Sequence, residues 1–269
     1  MAIYCNRLLA EFRLSIFSLQ DASGKTMNLK ETFCHKSKSI WFLKFLFFGL
    51  AISGLILQWI QSDNLAFWFA FLTQWGILIS NFYLFLSFFA AIGWIPITSN
   101  ENDKEASTWA KILWAFFVTT INSQVIITLL FWVTVYDDDG INYQMIYGHG
   151  LILLVGAIDG HVINRTPIRF KQVFFVYLVA VSYTTWTLIH GLSTEIGNID
   201  NQDTNGDDDA LYSIINWSQR PLPTLLTVVI LFFVVVPVVF VITWGLSVAI
   251  PAKYLVEEYF DPKDSEEEP

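Results

Sequence analysis

Charge is scarce in this chain, and cysteine scarcer still. Only 14% of the 269 residues are charged while 54% are hydrophobic, a balance that water-soluble domains of this size rarely show. The two cysteines, Cys5 and Cys34, both precede the first long apolar stretch. That number excludes a disulfide framework, and their spacing does not suit zinc. Positive charge is the minority sign: 15 Lys and Arg stand against 24 Asp and Glu, for a net charge of −9. This balance argues against nucleic acid as a partner. A cleavable leader is not expected, because Arg7 and Arg13 interrupt the apolar residues before a hydrophobic signal region can form. No repeat of fixed period runs through the chain, and the unequal polar content of its apolar segments speaks against an inverted duplication.

What the chain has in quantity is apolar length and aromatic rings, with 24 Phe, 11 Trp and 10 Tyr. About 20 apolar residues suffice for a helix to cross the roughly 30 Å hydrocarbon layer. Six stretches pass that measure: Ile40 to Ile60, Leu65 to Ile97, Trp109 to Val135, Met145 to Ile163, Gln172 to Leu192 and Pro221 to Ile250. The expected fold is therefore all-α, a polytopic transmembrane bundle of about six spans. It divides the chain into an N-terminal segment (1–39), the membrane domain (40–250) and an acidic tail (251–269). Pro237 is a kink site in the long last span, since its ring removes a helical hydrogen bond. Gly54 and Gly93 are positions where helices can approach closely.

Six spans put both termini on one side. That side then carries Arg7, Arg13, Lys25, Lys30, Lys36, Lys38, Lys44, Lys104, Lys111, Arg165, Arg169, Lys171, Lys253 and Lys263, and the other only Arg220. The asymmetry assigns both ends to the cytosol, without naming the organelle. The far side is acidic, with Asp137, Asp138 and Asp139 in one loop. The run Asn201 to Asp207 imitates the opening of a calcium loop, but Tyr212 stands where a bidentate Glu is required, so a solvated acidic loop is the better reading. Asn216-Trp217-Ser218 has the form of a glycosylation site on the far side. It lies too close to the last span to be modified.

Ionisable groups within a bilayer are costly unless paired or facing a cavity. Within the spans these are His149, Asp159 and His161 in the fourth and His190 in the fifth, while Lys44 and Lys111 lie near enough to the cytosolic ends to snorkel. His149 and His190 fall about 3–6 Å inside the far-side ends of their helices, at 1.5 Å per residue. The same rise puts Thr73 about 12 Å below Leu65, close to the level of His149. A hydroxyl and an imidazole at matched depth are the minimum parts of a nucleophile and its general base. The competing reading of Thr73 is a hydroxyl bonded to a carbonyl one turn back, and that of His149 is an interhelical or headgroup contact. Asp159 follows His149 by ten residues, roughly 15 Å along the helix, so it cannot orient that imidazole. It is expected instead to pair with His161, Asn164 or a basic group near the cytosolic mouth. Asn81, Asn122 and Gln124 are uncharged groups suited to interhelical bonding or to stabilising an oxyanion.

Three blocks resemble known families. Phe71-Leu72-Thr73-Gln74-Trp75-Gly76 is similar to the Leu-Thr-Asn-Trp-Gly segment of rolling stone-like proteins, and its Leu-Thr also occurs in the androgen-induced hydrolase family. Gly148-His149-Gly150, with Asp159 ten positions after the histidine and Pro167 beyond, resembles the histidine block of both families. Tyr212-Ser213-Ile214-Ile215-Asn216-Trp217-Ser218 looks like a third rolling stone-like segment, with Ser213 and Asn216 in place of Pro and Asp. The resemblance implies a multi-pass hydrolase of fatty acid esters of hydroxy fatty acids, with Thr73 as nucleophile and His149 as base. His190, Asn122, Gln124 and Asp159 would be supporting residues. It implies no cofactor and no metal, and partners that are membrane lipids and a lipid ester. The second histidine of the androgen-induced family is missing, since Ile146 and Ile152 stand on either side of His149; His190 is the candidate to replace it. The rolling stone-like side of the resemblance implies a different role, a non-enzymatic membrane protein acting in cell fusion or as a scaffold. A transporter is the third reading, disfavoured because the polar pair lies near one face rather than at the midplane.

Overall fold

A computed structural model describes residues 11–21, 25–61, 68–97, 106–136, 140–192, 212, 214–250 and 252–253. A short helix, α1 (Leu29–Phe33), precedes six helices long and apolar enough to cross a membrane. These are α2 (Lys38–Ile60), α3 (Leu72–Ala91), α4 (Thr108–Thr134), α5 (Tyr143–Asn164), α6 (Phe170–Leu192) and α7 (Pro221–Ala249). No strand forms among the described residues. The protein is an all-α, multi-pass integral membrane protein. Asp137 to Asp139, Asn201 to Asp207, Ser213 and the acidic tail after 253 lie outside the described residues.

Helix α4 is the hub, packed on α3, α5, α6 and α7. Its most apolar stretch is 56% buried, against 17% for α2 and for α7. The outer helices therefore turn most of their side chains to lipid, where an all-round apolar surface is stable. Capping sets the starts: Ser107 Oγ accepts the Ala110 amide at 3.1 Å for α4, and Asn142 Oδ1 accepts that of Met145 at 3.0 Å for α5. Proline opens α7, where a missing amide costs nothing. Gly54 does allow close approach, because a Cβ there would run into the Tyr147 ring. Gly93 has no such neighbour. At φ +80° it instead turns the chain out of α3.

Two expectations about the spans need correction. The second span is shorter than the run from Leu65 to Ile97: the left-handed turn at Gly93 and then Pro96 end it, and its helix begins only at Leu72. Residue 65 lies outside the described residues. Thr73 is thus the second residue of α3, preceded by a turn in which Trp68 and Ala70 are buried. Lys44 does not snorkel. Its side chain is 1% exposed, and its ammonium sits 2.6 Å from Asp159 Oδ1. It also donates to Ser87 Oγ at 2.6 Å and Asn164 Oδ1 at 2.9 Å. The other carboxylate oxygen of Asp159 accepts from Tyr83 and Ser87 at 2.6 Å and Asn164 at 3.1 Å. Asp159 thus takes both the Lys44 and Asn164 partners among those expected, but not His161, whose ring packs edge-on against Phe117. This network joins α2, α3 and α5 at the basic end of the bundle. The N-terminal segment docks there too, through His35 to Asn164 at 3.1 Å and an Arg169–Glu11 ion pair at 3.1 Å.

Candidate functional site

At the opposite end from the Lys44 network, the helices leave a small, partly open cavity of about 60 Å³. Thr73 from α3, Phe131 and Thr134 from α4, His149 from α5, and Tyr183 and Thr187 from α6 line it, with Tyr212 and the first half of α7 closing the side. The walls are otherwise aliphatic, so the polar groups stand out as hydroxyls and one imidazole on an apolar surface.

Local backbone choices bring them there. Three wide helical turns with i→i+5 hydrogen bonds surround the cavity, at Phe131–Val135, Tyr147–Leu151 and Leu231–Val235. Such turns insert an extra residue and re-aim the side chains around them. His149 sits inside the second of these, at φ −119° and ψ 24°, outside helical geometry. The indole of Trp132 donates to the His149 carbonyl at 2.9 Å. The imidazole lies flat on Phe131, with ring centroids 3.5 Å apart and planes 2° from parallel. Its Nδ1 is buried with no partner among the described residues. Gly148 explains how α5 comes so close to α3, since a Cβ at that position would stand 3.1 Å from the Thr73 methyl.

Thr73 and His149 therefore face one cavity, but no hydrogen bond joins them among the described residues. The nearest polar neighbours of Thr73 were not anticipated. Tyr212, from the segment before α7, accepts the Leu72 amide at 3.3 Å and clusters with the hydroxyls of Thr73 and Tyr183. Tyr183 in turn donates to the Ala70 carbonyl at 2.9 Å. Burial pushes the Tyr212 phenol above its usual range, against smaller opposing effects from the Leu72 amide and the two hydroxyls. It stays neutral at physiological pH and keeps a proton to donate. The only hint in the sequence was that Tyr212 opens the third family-like block.

The four supporting residues lie elsewhere. Asn122 donates to the Val118 carbonyl at 2.8 Å and accepts from Thr243 at 2.8 Å, tying α4 to α7. Gln124 donates to Ser80 at 3.0 Å and ties α4 to α3. Asp159 belongs to the network at the far end of the bundle. His190 is buried edge-on to Trp186, one turn beyond Thr187, and is not part of the cavity lining. Each is an interhelical or packing residue in this fold. Among the described residues no cluster of three or more metal-ligating side chains exists.

No known protein family, curated protein or solved structure matches this chain. The likeness to androgen-induced and rolling stone-like proteins rests on the quoted blocks alone.

Proposed function

We propose that the protein is a membrane-embedded hydrolase of lipid esters, with Thr73 as nucleophile and His149 as general base. The observation that carries this reading is the meeting of both side chains in one apolar cavity at a bundle end. Their meeting needs the glycine at 148 and the wide turn at His149. An ester of two long chains suits such a site, because the chains stay in hydrocarbon while the carbonyl reaches the polar groups. Thr73 also stands at the N-terminus of a 20-residue helix, where the positive end of the helix dipole favours a developing alkoxide.

In this mechanism His149 takes the Thr73 hydroxyl proton as Oγ attacks the ester carbonyl. The tetrahedral intermediate collapses, and the alcohol leaves with that proton. Water, deprotonated by the same imidazole, then attacks the acyl-threonine, and the fatty acid leaves as Thr73 regains a proton. The neutral Tyr212 phenol holds the Thr73 hydroxyl before the reaction and donates to the oxyanion during it. Engagement with substrate would close the gap between Thr73 and His149, as hydrogen bonds of catalytic groups often tighten only in the complex. The basic end of the bundle faces the cytosol in this reading, as the distribution of Lys and Arg requires. The site then opens to the non-cytosolic leaflet.

The second reading is a non-enzymatic protein of rolling stone-like type. It is favoured by the pairing of Thr73 with Tyr212 rather than with His149. A lipid-like fluorophosphonate applied to the purified protein separates the two. Labelling of the wild type that is lost in both Thr73→Ala and His149→Ala supports the hydrolase. Absence of labelling from folded wild type selects the non-enzymatic role.

A further inference from the structure

A second, narrower cavity, of about 30 Å³, adjoins the first. Leu72, Tyr183 and Leu231 face both, so these three side chains form the partition between them. Beyond it the lining is Ile126, Val176, Val179, Ala180 and Val236, with Ser123 as its only other hydroxyl. Followed along α6, the two cavities extend from Thr187 to Val176. That is 11 residues, or about 16 Å at 1.5 Å per residue. Half of the roughly 30 Å hydrocarbon layer has nearly the same depth.

The inner wall is built by the backbone. In an α-helix, residues five apart point about 140° away from each other, so Leu231 and Val236 would not share a face. The wide turn in α7, in which the Val236 amide bonds the Leu231 carbonyl, brings both onto the same cavity. The inner chamber is thus shaped by a local departure from helical geometry and is not a random packing defect.

We infer that the inner chamber is the binding site for the distal part of one long acyl chain, entering from the same leaflet as the polar cavity. The order of chemistry along the axis matches a lipid lying in a leaflet: polar groups at the bundle end, hydrocarbon toward the midplane. The inference deepens the hydrolase reading and rests on it for the position of the ester. Ala180, halfway along α6, sets the depth, because a larger side chain there fills the space beyond the partition.

The test is photo-crosslinking of the full-length protein in phosphatidylcholine nanodiscs. The probe is an alkyne-bearing palmitic acid with a diazirine near its methyl end, and adducts are mapped by mass spectrometry. Adducts are expected on Val176, Val179, Ala180 or Val236. Ala180→Trp should lower them at least tenfold, while an octanoic acid analogue with the diazirine beside its carboxyl labels within twofold of wild type. Adducts confined to lipid-facing residues such as Phe174 and Leu178, or unchanged by Ala180→Trp, overturn the inference. If that variant does not fold, the wild-type map decides alone. Binding is read without turnover, so the two ideas fail separately. Inner-chamber adducts without any ester hydrolysis remove the enzyme and keep the chain site; hydrolysis without such adducts does the reverse.

Discussion

Removing one partner of the Lys44–Asp159 pair should be among the most damaging single changes this fold can suffer. Both side chains are 1% exposed and 2.6 Å apart. Besides the ammonium, the carboxylate takes three further donors, from Tyr83, Ser87 and Asn164. In Lys44→Met, a nearly isosteric change, the carboxylate stays buried among neutral donors with no counter-charge. Breaking a buried pair in this way costs about 3–5 kcal/mol. At roughly 2–4 °C per kcal/mol for a chain of this size, the melting temperature falls by about 10 °C. Asp159→Asn leaves the ammonium uncompensated and should cost as much. The double variant removes both charges and keeps an amide oxygen for Tyr83 and Ser87, so it should recover most of the loss. Thermal unfolding of the four proteins in one detergent, followed by tryptophan emission, measures the cycle. The coupling should be at least 2 kcal/mol and of opposite sign to the single losses. Additive losses, or single variants within about 1 kcal/mol of wild type, would refute the idea that this pair is a buried ionic clamp.

Four other outcomes follow from the structure. Thr73→Ser should retain measurable ester hydrolysis while Thr73→Ala loses it without changing the yield of folded protein; equal activity in both removes Thr73 from the chemistry. Tyr212→Phe keeps the ring and removes the proton, and should lower turnover by tenfold or more, in the range of a lost oxyanion donor, with little change in melting temperature. Gly54→Leu should destabilise the bundle by about 1–3 kcal/mol, because its side chain meets the Tyr147 ring; unfolding in detergent reads it. His35 lies before the first span, and burial holds its imidazole down at about 4, with the Asn164 hydrogen bond opposing. The unfolded chain then binds a proton at higher pH than the folded one. Stability contributed by His35 is whole above about pH 6.5 and is lost as pH falls toward 4. His35→Gln should flatten that limb of the curve of melting temperature against pH.

The spans themselves were legible because hydropathy acts locally: a run of apolar residues long enough to cross hydrocarbon forms a helix there whatever its neighbours are. Five of the six helices begin and end within two or three residues of the expected bounds. The second does not, because the start of α3 and the turn at Gly93 depend on backbone geometry more than on apolar content. Thr73 and His149 could be singled out by chemistry, and they do reach one cavity. Their relation could not be read, because it depends on the wide turn at His149, on the contact across Gly148, and on a tyrosine more than 130 positions away in the chain from Thr73. Asn122, Gln124 and His190 show the same limit from the other side. Polar residues in a membrane helix announce that they need partners, but not whether those partners are a neighbouring helix or a substrate.

Composition alone decided that this chain lives in a bilayer as a helical bundle, because the cost of leaving backbone groups unpaired in lipid leaves few alternatives to helices. It also marked the buried charges as residues requiring an answer. Only the packing of the helices decided what the answer was. Lys44 turned inward to Asp159 where the chain alone suggested it would reach for water, since a counter-charge, a hydroxyl and an amide oxygen on neighbouring helices were within 3 Å. The cavity pair is likewise a property of the assembly: it lies where three wide turns and the close approach at Gly148 hold the helices at distances that no single segment encodes.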